Sequence, residues 1–217
     1  AQYLDEIELS ALIMAVHRIA QKSLPLTLIG AGLPQLVGLT GRSKSYAERL
    51  FDFPVVGALS ERDAQRALEE PVQREGVQFD RAALRAIIRV TQGYPYFLPE
   101  WGYHTWDMAT GSPISRAAAK KGQSAAIKSL DTSFFRVRFD RLTPKEKNYL
   151  RAMAELGPGP HRSGDIADVL ARTVQSSGPL RDKLIKKGMI YSPVHGETAF
   201  TVPLFDAFLK RIMPSLP

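Results

Sequence analysis

The chain has 217 residues, 44% hydrophobic and 24% charged, enough for one large or two small domains of ordinary globular material. It has no cysteine, which excludes disulfides and thiolate metal sites, and no apolar run approaches the roughly 18 residues of a membrane helix. The formal charge of +7 is uneven: residues 1–110 carry 11 Lys and Arg against 13 Asp and Glu, and residues 111–217 carry 18 against 9, so the second half is the candidate partner of nucleic acid or another polyanion, against a simple solvated basic surface.

Ile7, Leu9, Leu12, Ile13, Val16 and Ile19 recur mostly at helical spacing, predicting an amphipathic helix over 5–22 with Asp5 and Glu6 in its first turn. Residues 24–31 form a continuous apolar run bounded by Pro25 and Gly30-Ala31-Gly32, the pattern of a buried parallel strand. Short helices are expected over 33–39 and 45–51, and a second short strand over 53–59. From Ser60 the pattern turns helical. Ser60-Glu61-Arg62-Asp63 opens a helix over 61–74 that Pro71 is expected to interrupt, and Asp80 caps the next. Gly93 ends that helix, and Pro95 starts a third over about 96–109.

Thr110-Gly111-Ser112-Pro113 reads as a linker, followed by a helix over about 115–130. Residues 134–139 either extend it or run into the next domain. Thr143-Pro144-Lys145-Glu146 combines an N-cap, Pro at the first position and Glu at the third, a strong helix start, and Gly157 closes that helix. Helices over 163–170 and 174–187, strands over 189–192 and 199–202, and a final helix over 204–213 complete the chain. Three helices and then a hairpin is the winged-helix order. His17, His104, His161 and His195 are scattered without metal-ligand spacing.

Ser45-Tyr46-Ala47-Glu48-Arg49-Leu50-Phe51, a short apolar strand, and Gly93-Tyr94-Pro95 ahead of a helix together resemble the end of an AAA+-type ATPase domain, most closely the prokaryotic archaeal-ATPase and STAND groups. The fold class this implies is mostly α with some β: a remnant of an α/β P-loop ATPase core over 1–59, a helical lid over 60–110, a linker helix region over 111–142, and a C-terminal winged helix-turn-helix over 143–217. No Gly-x-x-x-x-Gly-Lys-Ser/Thr loop occurs, so the phosphate cradle is missing. The chain is therefore read as the C-terminal part of a cytoplasmic ATP-binding protein. Its intact parent would use ATP and Mg, while this part hydrolyses no ATP and holds no nucleotide tightly.

The resemblance gives residues roles. Ala1-Gln2-Tyr3-Leu4 is similar to the family's continuation after an acidic magnesium-binding pair, which places that pair upstream and leaves Asp5 and Glu6 as helix-start acids. The other alignment makes Asp5-Glu6 the pair itself. Arg49 would be an arginine finger reaching a neighbouring subunit's phosphates, with Tyr46, Leu50 and Phe51 packing its helix, or an exposed Arg paired with Glu48 or Asp52. The sensor strand ends in small residues, and a polar reader would be displaced to Gln35 or Arg42. Gly93 and Pro95 would border the nucleotide, or simply make a helix-break-helix turn. The aromatic group Tyr94, Tyr96, Phe97, Trp101, Tyr103 and Trp106 reads as lid core.

In the winged helix, residues 174–187 would be the recognition helix. Arg172, Gln175, Ser176, Ser177, Arg181, Lys183 and Lys187 are its candidate DNA contacts, with Lys186 adding charge. The expected partners are DNA, a second copy through unpaired strand edges, or the ATPase half that precedes this part; no membrane partner is expected. The rival reading is a non-enzymatic winged-helix regulator or a protein-docking scaffold.

Overall fold

The computed structural model describes residues 4–32 and 47–216. They belong to two compact units, Ala1–Val56 with Gly159–Thr201, and Gly57–Pro158 with Val202–Pro217. The molecule is mostly helical, and its one described sheet has three strands.

The first unit opens with α1, Glu6–Gln21. Asp5 accepts from the Glu8 N–H at 2.8 Å, and Glu8 reaches back to the Asp5 N–H at 3.0 Å, a reciprocal cap that satisfies two orphan donors. Leu9 and Ile13 are its buried face, and Leu50 and Phe51, at the end of and just after α2 (Ala47–Leu50), pack on them, as expected for the helix carrying Arg49. Neither predicted strand of the α/β remnant forms. Residues 24–32 and 51–57 follow no ladder, with Ile29 91% and Val55 94% exposed. A strand exists only against a neighbour, and nothing in the described residues offers these segments an edge. The expected helix over 33–39, together with Gln35, Arg42, Tyr46 and Ala1 to Tyr3, lies outside the described residues.

The rest of this unit is β1 (His161–Arg162), α9 (Ser163–Val169), α10 (Val174–Lys186), β2 (Ile190–Tyr191) and β3 (Glu197–Phe200). The sheet order is β1-β3-β2, antiparallel throughout, with His161 opposite Thr198 and Ile190 opposite Phe200. The two-residue β1 has no counterpart in the sequence pattern, being too short to alternate. Thr173 caps α10 by accepting from the Ser176 N–H at 3.2 Å, and Gly188, at φ +70°, ends the chain's turn out of it.

The second unit holds α3 (Glu61–Arg74), α4 (Arg81–Thr91), α5 (Phe97–Asp107), α6 (Arg116–Leu130), α7 (Arg136–Asp140), α8 (Pro144–Glu155) and α11 (Phe205–Ile212). Ser60, Asp80 and Thr143 cap α3, α4 and α8 as their sequence positions predict. Pro71 does not interrupt α3. Its missing N–H orphans only the carbonyl of Ala67, and both residues are exposed, so that carbonyl is left open to solvent rather than buried. Helix α6 buries the small residues Ala118, Ala119, Gly122 and Ala126, Gly122 lies against the His104 and Thr105 main chain of α5, and α5 with α6 is the unit's most extensive helix pairing.

A π turn, Asp131–Phe135, joins α6 to α7, so the chain continues helically from 116 to 140. Buried positions step by four from Ala118 to Leu130 and then by five to Phe135, and the wider π turn absorbs the extra residue. Phe134 stacks on Tyr96 at 4.6 Å between ring centres, while Phe135 stacks on Phe208 of α11 at 5.2 Å. Arg211 of α11 clamps Asp131 with two bonds of 2.8 and 2.6 Å.

Candidate functional site

The turn after α4 is the first site residue group. Helix α4 ends at Thr91, whose hydroxyl donates back to the Ile87 carbonyl at 2.9 Å. Gln92 and Gly93 then take φ of +53° and +68°. The Gly93 carbonyl accepts from the Leu59 N–H at 2.9 Å, and a Cβ on Gly93 would stand 2.7 Å from the Leu59 carbonyl oxygen. Glycine is required twice, for the left-handed backbone and for the close approach. We expect Gly93→Ala to cost about 2–4 kcal/mol in urea unfolding, the sum of the backbone penalty and a clash with main chain that no side-chain movement relieves. Beside the turn is a cavity of about 380 Å³ lined by Leu59, Glu61, Arg85, Arg89, Gln92 and Gly93 among others. Pro95 is exposed and is not part of its lining.

The aromatic group divides. Phe97 and Trp101 are core. Tyr96, Tyr103 and Trp106 are exposed, the last two lining a separate apolar groove of about 400 Å³ with Leu68, Pro71 and Phe79. Arg138, a residue the sequence did not single out, lies 3.6 Å over the Phe134 ring and donates to the Phe134 carbonyl at 2.9 Å. Burial pushes its guanidinium below the ordinary value, with Tyr94 and Tyr96 opposing that shift and Arg141 adding to it.

Arg49 sits in the last turn of α2 and is exposed. On α10 and its approach, Arg172, Gln175, Ser176, Lys183 and Lys187 are exposed. Ser177 is buried, its hydroxyl without a hydrogen-bond partner. Arg181 is turned onto the sheet, donating from Nε to the Thr198 hydroxyl at 2.9 Å and from Nη2 to the Glu197 carbonyl at 3.1 Å. It ties α10 to β3, so its charge is spent inside the unit. The outward stripe of α10 is Gln175, Pro179, Asp182, Lys183 and Lys186. Asp182 sits among the cations, and Pro179 leaves the exposed Gln175 carbonyl without a helical donor. Among the described residues no group of His, Asp or Glu is placed to hold a metal ion, and no helix is long and apolar enough to cross a membrane.

The fold has a recognisable relative. A Walker-type ATPase of Pyrococcus abyssi superposes with a TM-score of 0.58 over 80% of this chain, at 15% identity. That likeness is one of fold alone, at a coarse level, and the chain spans about half the length of that protein (50%). A RuvB variant from Thermotoga maritima also matches, with a TM-score of 0.45, 16% identity, and coverage of 87% of this chain and 60% of its own. A family described as a domain of unknown function (DUF8462) matches residues 132–209. No curated protein matches the chain.

Proposed function

We propose that this chain is the lid and C-terminal domain of a cytoplasmic P-loop ATPase of the archaeal-ATPase and STAND type, whose nucleotide state positions a winged helix-turn-helix on DNA. The observation that carries this reading is the arrangement β1-α9-α10-β2-β3 after α8, with β1 returning to pair with β3. That is the winged-helix order, on a chain whose fold is like a Walker-type ATPase. One family model spanning 132–209, from the π turn to α11, supports treating these elements as one evolutionary piece.

The residues fit one side of a nucleotide. The Gly93 turn offers a backbone edge, Arg85 and Arg89 offer charge for phosphates, and the cavity has the size of small-ligand sites. ATP would supply the phosphates whose hydrolysis drives the parent. No phosphate loop is present in these 217 residues, so tight binding rests on residues outside them. Arg49, exposed at the end of α2, would serve a neighbouring subunit's phosphates.

For DNA, the free charge of α10 is Lys183 and Lys186, and Arg181 is a strut rather than a contact. Reversing both, with Lys183→Glu and Lys186→Glu, should reduce the salt slope of duplex binding by roughly 2, at about 0.9 for each phosphate no longer neutralised. Arg62→Glu with Arg66→Glu on α3 should leave it unchanged. A titration of labelled duplex at low and moderate salt decides the matter. No binding at low salt, or equal loss from both pairs, would make this a protein-docking module, the reading that Asp182 and Glu197 favour.

A further inference from the structure

We propose that a second cavity, between α4 and α6, binds a phosphate group. It shares Arg89 with the cavity beside the Gly93 turn but is otherwise lined by different residues, and it rests on neither the nucleotide nor the DNA role. Its volume is about 240 Å³, and its lining includes Arg89 from α4, Arg116, Lys120 and Gln123 from α6, and Trp101 from α5. Three cationic side chains and an amide face one small space, and no carboxylate lines it.

The surrounding sequence explains that imbalance. Helix α4 reads RAALRAIIRVT and α6 reads RAAAKKGQSAAIKSL, without one acidic residue between them. Elsewhere in the same unit some cations are neutralised, Arg66 by Glu70, Arg136 by Asp140, Arg151 by Glu155 and Arg211 by Asp131, while Arg62, Arg81 and Arg85 have no ion pair among the described residues. No ion pair among the described residues engages Arg89, Arg116 or Lys120. Their mutual repulsion is relieved by a multiply charged anion.

Trp101 supplies a reporter at the site. Trp101 is 1% exposed and its indole N–H has no hydrogen-bond partner, although a buried donor of this kind is normally satisfied. It lines this cavity. Ser115 caps α6 by accepting from the Ala118 N–H at 3.2 Å, so the positive end of a 15-residue helix adds its field at Arg116. The space is below the roughly 300–1,000 Å³ of drug-sized ligand sites, which suits a phosphate or diphosphate and leaves no room for a base and sugar inside. Two guanidinium groups, an ammonium and an amide together form a phosphate-binding set.

Nitrogen-15 spectra of the whole chain test this, because it has only 2 tryptophans and the indole signals are told apart by Trp106→Phe. Sodium pyrophosphate added at low ionic strength should shift the Trp101 indole signal saturably and leave that of Trp106 in place. Arg116→Gln with Lys120→Gln should weaken the effect about tenfold or more, while Arg62→Gln with Arg66→Gln does not. Both altered pairs are exposed, and unchanged circular dichroism verifies the fold; Lys120→Gln alone is the milder second variant. Arg89 is left intact because it also lines the first cavity. A short single-stranded oligonucleotide without terminal phosphates is the second arm. If it moves the same signal with the same dependence on Arg116 and Lys120, the ligand is a nucleic-acid backbone. If only pyrophosphate does, it is a free phosphate compound. No shift of Trp101 with either probe, or equal weakening by the Arg62 and Arg66 pair, overturns the proposal. Failure of duplex binding at Lys183 and Lys186 is a separate result and leaves this one standing.

Discussion

Gly122→Ala should destabilise the second unit by about 2–3 kcal/mol, although alanine is the better helix former by about 1 kcal/mol. A Cβ at Gly122 would stand 2.7 Å from the carbonyl carbon and oxygen of His104 and from the Thr105 nitrogen. These are main-chain atoms of α5, so no rotamer change relieves the clash, and α5 and α6 must separate. Trp101 and Thr105, both buried at that interface, lose packing as they do so. The thermal midpoint followed by circular dichroism should fall by roughly 4–12 °C for a chain of this size. The same change in α9, Gly164→Ala, meets nothing within 4 Å and should raise that helix's stability by up to about 1 kcal/mol. An unchanged midpoint for Gly122→Ala would mean that the two helices can part at Gly122 without penalty.

Arg151→Met is the second large expected effect. The Arg151 side chain is only 4% exposed. Its Nε donates to the Met213 carbonyl at 2.6 Å, Nη2 to the Pro214 carbonyl at 3.3 Å, and Nη1 to Glu155 at 2.8 Å. It therefore pins the end of α11 to α8. Losing charge-assisted bonds to two main-chain carbonyls should cost about 2–4 kcal/mol and speed hydrogen exchange over Phe205–Ile212. The hydrogen bond from Arg151 also holds the exposed Glu155 carboxyl below its ordinary 4.5, with slight desolvation opposing and the charges of Arg151 and Lys210 assisting. A lowered carboxylate stabilises the fold fully above the ordinary value, and that contribution fades as pH falls through the lower folded value. The unaltered chain should thus lose stability on acidification below about pH 4.5 more steeply than Arg151→Met. Equal acid slopes would show that Glu155 adds nothing to the clamp and that the carbonyl bonds alone hold it.

What the sequence discloses and what it hides divides by range of interaction. Ser60, Asp80 and Thr143 are legible because a cap is an affair of three or four neighbours. The apolar runs over 24–31 and 53–59 are misread as strands because a strand depends on a partner that apolarity alone does not identify. Arg181 looks like a DNA contact when only its helix is considered. The Thr198 hydroxyl that captures it is 17 residues away in sequence, beyond any local pattern. Residues 134–139 stay ambiguous because a search at a fixed 3.6 residues per turn loses step at the five-residue interval. The cavity between α4 and α6 is invisible for another reason: Arg89 and Lys120 each look like an ordinary solvated charge until packing brings their helices together.

The π turn has a geometric consequence. Residues 116–140 form a single rod, roughly 37 Å long at 1.5 Å per residue. One end carries Arg116 and Lys120; near the other, Asp131 grips α11 and Phe135 stacks on it. The widened turn takes up one residue more than an α turn, so the buried face of α6 carries on into Phe139 of α7. Deleting one residue of the turn would leave a plain α-helix with Phe139 and Arg138 on their present faces, because the residue removed is the one that the π turn takes up.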